Sequence, residues 1–80
     1  MFIKPLAGRA VELNQKAESI GIEVGEIEGN KEFPRFRVAV RGNTFALKDA
    51  LKAAGFRFDG VNKVWFVGGY EDMESFLSSI

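Results

Sequence analysis

Arg35, Arg37 and Arg41 occupy odd-numbered positions in a stretch, residues 33–41, whose even positions Phe36, Val38 and Val40 are apolar. A β-strand sends alternate side chains to opposite faces. The three arginines, with Ala39, are therefore expected on one side, about 6–7 Å apart at successive same-face positions. Arg57 alternates with Phe56 and Phe58 and is expected to share that side. Planar guanidinium forks suit phosphate oxygens and also stack on bases. Lys48 and Lys52 on a following helix and Lys63 in a later hairpin extend the basic set, and Phe66 supplies an aromatic ring. The chemistry this suggests is binding of a polyanion, with bases stacked on an arginine-bearing sheet face. The plainer alternative is a solvated strand face, neutralised across the sheet by Glu23, Glu26 or Glu28.

Catalysis has little to work with. The 80 residues contain no histidine and no cysteine. Disulfides, thiolate and imidazole metal sites, and catalysis by either residue are thereby excluded. The acids fall in short runs (Glu23, Glu26, Glu28, Glu32, then Glu71, Asp72, Glu74) that read as solvated faces. No G-x-G-x-x-G or Walker-type loop is present. Gly68-Gly69 precedes a helix, but the acids behind it argue against phosphate there. Asp59-Gly60-x-Asn62 lacks the remaining ligands of a calcium loop. No enzymatic activity, metal or cofactor is expected.

Charge placement is uneven. Eleven basic and eleven acidic residues cancel, yet residues 35–63 hold seven basic and two acidic side chains. Residues 1–34 and 64–80 are net acidic.

The elements that must position these groups follow from periodicity. Leu6, Ala10, Leu13, Ala17 and Ile20 are spaced as one face of a helix, which Gly21 ends. Ile22, Val24 and Ile27 read as a strand in which Gly25 breaks the alternation as a bulge. Gly29-Asn30-Lys31 is a turn, and Pro34 opens the arginine strand, where a missing donor does least harm. After Gly42-Asn43, Asn43 or Thr44 is expected to cap a helix over about 46–54. Leu47, Ala50, Leu51 and Ala54 form its apolar face and leave Lys48, Asp49 and Lys52 in water. Residues 56–59 and 63–67 make a hairpin around Gly60-Val61-Asn62. A last helix over about 70–79 buries Met73, Phe76, Leu77 and Ile80.

These elements predict a single α+β domain over 1–80 in the order α-β-β-α-β-β-α. Its antiparallel sheet has about four strands, with helices packed on one face and the other face open. Periodicity leaves the hairpin's second strand undecided, because Val64 and Phe66 on one side and Trp65 and Val67 on the other are all apolar. No run approaches the ~18 apolar residues of a membrane span. The opening residues, broken by Lys4, Pro5 and Arg9, do not form a secretory signal, so a cytoplasmic location is expected.

Residues 45–76 carry the pattern Lys48-Asp49-x-Leu51-Lys52-x-x-Gly55-x-Arg57-Phe58-Asp59-x-x-x-Lys63-x-Trp65-Phe66. It resembles a small module of phage and plasmid proteins of the form K-x-x-L-K-x-x-G-x-[RK]-[WF]-D-x-x-x-K-x-W. It is also similar to the HARP domain of annealing helicases. The resemblance implies that Phe58 and Trp65 pack under the helix, leaving Phe66 outside. Asp59 would brace the hairpin turn. HARP-type modules are attached to enzymes acting on branched or single-stranded DNA. The resemblance thus implies nucleic-acid handling by a free-standing accessory protein, with Arg57, Lys63, Lys48 and Lys52 as contacts.

The expected function is that of a small non-enzymatic nucleic-acid-binding protein of phage or mobile-element type, with little base specificity. DNA or RNA is the partner, single-stranded or branched DNA being favoured. The contacts are Arg35, Arg37, Arg41, Lys48, Lys52, Arg57, Lys63 and Phe66. The alternative is a protein-interaction module or an inhibitor of a host protein complex, with Phe66 and the arginines as anchors.

Overall fold

The first helix is shorter than its apolar spacing predicts. In a computed structural model, which describes residues 2–80, helix α1 spans Arg9–Glu18. It starts only after Gly8, whose φ of 75° lies in the left-handed region that glycine tolerates. Leu6 therefore precedes the helix and is almost wholly exposed, while Leu13 and Ala17 are buried. Between them on the buried side sits Asn14. Its Oδ1 accepts the Val24 N–H at 2.7 Å, and its Nδ2 donates to Glu18 Oε1 at 2.7 Å. A buried amide needs such partners, and these tie α1 to the strand that follows.

Strands β1 (Ile22–Glu28) and β2 (Phe36–Gly42) lead into a 3₁₀ turn, Phe45–Leu47, and helix α2, Lys48–Ala53. Strands β3 (Arg57–Asp59) and β4 (Val64–Val67) precede helix α3, Tyr70–Ser79. The sheet has four strands in the order β1-β2-β4-β3, and every pairing is antiparallel. The succession of elements matches the expected one apart from the 3₁₀ turn before α2. Among the described residues no helix is long and apolar enough to cross a membrane.

One face of the sheet carries the main core. Ile22 and Val24 of β1, Val38 and Val40 of β2, and Val67 of β4 meet Leu13 and Ala17, Leu51, and Met73, Phe76 and Leu77 from the three helices. Phe56 joins them, its ring centroid 4.9 Å from that of Phe76. Burial of such rings supplies a large part of a small domain's hydrophobic stabilisation.

The expected bulge at Gly25 is absent. Pairing runs unbroken from Ile22↔Gly42 to Glu28↔Phe36, so Ile27 points to the face opposite Ile22 and Val24. Gly25 serves a different purpose. A Cβ there would stand 2.5 Å from the Phe2 ring, so the missing side chain lets Phe2 lie across the strand. Next to it, Ile3 and Glu26 exchange two backbone hydrogen bonds of 2.8 Å, which protect the outer edge of β1.

The second face is consequently not open. Ile27, Ala39, Val64 and Phe66 form a smaller buried cluster there, covered by Phe2 and Phe33. The cover comes from two irregular segments, the N-terminal arm and the connection between β1 and β2. Neither carries a periodic signal that sequence patterning reads.

Candidate nucleic-acid interface

The alternation of β2 sends Arg37, Ala39 and Arg41 to the second face as its period requires, but no bare arginine strip results. Arg37 is only 7% exposed. Its Nη2 lies 2.9 Å from Asp59 Oδ2, and its Nε donates to the Glu28 carbonyl at 2.9 Å. Its guanidinium carbon sits 4.5 Å from the Phe66 ring centroid. Arg41 donates from Nε to Glu23 Oε2 at 2.8 Å and covers the Phe2 ring at 4.1 Å. That hydrogen bond from Arg41, with a second from Lys4, holds the Glu23 carboxyl below its usual range. Arg57 donates to Glu32 Oε2 at 2.7 Å. Arg35 lies before β2, exposed, and has no ion pair among the described residues. The expectation that Arg35, Arg37, Arg41 and Arg57 share an uncovered face is therefore corrected. Three of them are each held by a carboxylate, and loops cover the face that was to present them.

Phe66 is corrected with them. It points away from the helices, as the resemblance implied, but it is 6% exposed, packed in the second cluster beneath Arg37. Trp65, on the helix side, packs against the main core. Phe58 does not pack under a helix. It pairs in register with Trp65 on the outermost strand and is 54% exposed.

The β3–β4 turn is built around Asp59. Its Oδ1 accepts the Val61 N–H at 2.8 Å and the Asn62 N–H at 3.2 Å, and its Oδ2 accepts from Asn62 Nδ2 at 3.0 Å. These bonds, the Asn62 side chain foremost, and the charge of Arg37 lower the Asp59 pKa from 3.8 to about 2. A carboxyl whose folded pKa is depressed stabilises the fold above its unfolded pKa. That contribution is expected in full above about pH 4 and lost as the pH falls through about 2. Urea midpoints across this range should fall with acid in the native chain and fall less steeply in Asp59→Asn. Equal slopes would contradict it. Lys63 ends the turn at φ 57°, exposed, and does not line the groove that holds Lys48 and Lys52.

Lys48 and Lys52 are the two predicted contacts that the structure brings together. They lie one turn apart on α2, four positions being the spacing that stacks side chains on one helix face. With Thr44, Phe45, Phe58 and Trp65 they line an open groove of about 390 Å³. Phe45 is 83% exposed. Lys48 Nζ stands 5.3 Å from its ring centroid. Phe58 meets Trp65 edge to face, with centroids 5.4 Å apart and planes at 65°. Neither lysine makes an ion pair among the described residues, and Asp49, between them in sequence, does not line the groove. Exposed rings beside unpaired ammonium groups can stack a planar group and neutralise an anion attached to it.

Sequence reasoning places Phe58 under a helix rather than among the contacts, and it misses Phe45 altogether. Phe45 falls outside the Leu47, Ala50, Leu51, Ala54 stripe, and a large apolar side chain off the buried stripe beside two lysines was the available signal. Among the described residues no cluster of acidic side chains could hold a metal ion.

Residues 44–78 match the model of a family described as Domain of unknown function (DUF5710). The matched segment takes in α2, β3, β4 and all of α3 but its last residue. Every residue lining the groove falls inside it. No curated protein and no solved structure matches the chain.

Proposed function

We propose that the protein is a small cytoplasmic nucleic-acid-binding protein of phage or mobile-element type. It acts without chemistry and reads little base sequence, and the groove between α2 and β3 is where the ligand sits. The observation that carries this reading is the pairing of two exposed rings, Phe45 and Phe58, with two lysines that have no acidic partner among the described residues. Base–aromatic stacking contributes roughly 1–3 kcal/mol per base and tolerates any sequence, because every base has a π-face. Lysine supplies a point charge for phosphate without base discrimination.

The salt dependence tests it. If Lys48 and Lys52 each neutralise one phosphate, the log–log slope of affinity against salt should be about −1.4 for a single strand. Lys52→Gln should halve that slope while leaving the fold intact, because Lys52 is exposed. Anisotropy of a labelled oligonucleotide between low and moderate salt reads both quantities. A slope near zero, or no binding at 50 mM salt, removes the reading.

A protein partner is the second reading. The zero net charge and the apolar rings of Phe45 and Phe58 favour it, since aromatic side chains are common interface anchors. It predicts failure of every oligonucleotide in the same titration.

A further inference from the structure

The groove also bears on the form of the nucleic acid. Resting on the reading just given, we infer that it takes an unpaired strand and excludes duplex: two neighbouring bases stack on Phe58 and Phe45, and their phosphates lie against Lys48 and Lys52.

Three observations carry this. First, the exposed aromatic surface is out of proportion to the charge. Phe45 and Phe58 are 83% and 54% exposed, whereas the groove holds only two cations. A duplex keeps its base faces stacked inside and meets a protein mainly through phosphates, so it would leave both rings in water. An unpaired strand can turn its bases outward and cover them. Second, the Phe58 platform is already oriented. Phe58 and Trp65 meet edge to face with the ring planes at 65°, which holds one ring on the other while Phe58 stays 54% exposed. A group fixed before binding has less freedom to lose on binding. Third, three basic side chains that could widen the cationic surface are engaged elsewhere. Arg37, Arg41 and Arg57 are each bound to a carboxylate.

The chain has one tryptophan, and it lines the groove, so its fluorescence reports occupancy directly. Four probes separate the possibilities: an eight-residue deoxythymidine strand, an eight-residue uridine strand, an abasic strand with the same phosphates, and a hairpin duplex. The deoxythymidine strand should change Trp65 emission and bind at least about 10-fold tighter than the abasic strand and the duplex. The uridine strand should do likewise if the groove reads only bases and phosphates. Phe58→Ala and, independently, Phe45→Ala should each weaken single-strand binding by about 5- to 150-fold, the range that corresponds to one lost stack. Far-UV circular dichroism checks that both remain folded, as exposed sites should. Duplex or abasic strand binding as tightly as the deoxythymidine strand would overturn the inference while leaving nucleic-acid binding in place. So would affinity unmoved by both alanine variants. Failure of all four probes would overturn both readings together.

Discussion

Arg37→Ala is expected to destabilise the fold by about 3–5 kcal/mol, the usual effect of breaking a buried ion pair by removing one partner. The loss has three parts: the 2.9 Å contact with Asp59, the hydrogen bond to the Glu28 carbonyl, and the cover over the Phe66 ring. For a domain of this size each kcal/mol moves the melting temperature by about 4–8 °C. A fall of well over 10 °C should therefore appear in a thermal scan followed by circular dichroism. Part of the penalty comes from the stranded Asp59 carboxylate. Asp59→Asn in the Arg37→Ala background should consequently be less harmful than Asp59→Asn alone. An Arg37 whose task were to contact a ligand from the surface would behave differently: alanine would lower binding and leave the melting temperature where it was.

Phe66→Ala carries the second large effect, again about 3–5 kcal/mol, because truncating a buried aromatic ring loses its transfer free energy and leaves a cavity. Phe66→Leu, which keeps most of the volume, should recover more than half of that. The contrast with Phe58 makes the test discriminating. Phe58 is 54% exposed, and its truncation should fall within about 1 kcal/mol of the native chain by urea denaturation. Comparable losses at the two positions would mean that the assignment of one ring to the interior and the other to the groove is wrong. Arg37 and Phe66 touch, so the double variant should lose less than the two single losses added together.

How much of this was legible in the residues depends on where periodicity operates. The alternation of Phe36, Val38 and Val40 against Arg37, Ala39 and Arg41 placed each side chain on its correct face, because the pleat allows no other answer. It did not reveal whether that face was bare. Phe2 and Phe33 provide the cover from irregular segments, and a segment without a period announces no partner. The same limit explains Leu6. It continues a helical spacing that the chain does not use, since Gly8 delays the helix to Arg9. Gly25 breaks the pattern as a bulge would, whereas the ring that crosses it belongs to Phe2, more than twenty residues away in sequence. Within the groove, Lys48 and Lys52 followed from helical spacing. Phe58 shares the groove with Lys48 and Lys52 of α2 yet stays 54% exposed, and only tertiary structure reveals how much shelter a short helix gives the outermost strand.

Strand β4 is hydrogen-bonded on both sides, to β3 from its own half of the chain and to β2 from the other. The half that carries the groove therefore leaves one edge of β4 bare without β2, and it leaves Met73, Phe76 and Leu77 without the Leu13, Val24, Val38 and Val40 side chains that share their core. The groove is thus built by one half of the chain and held in shape by the other.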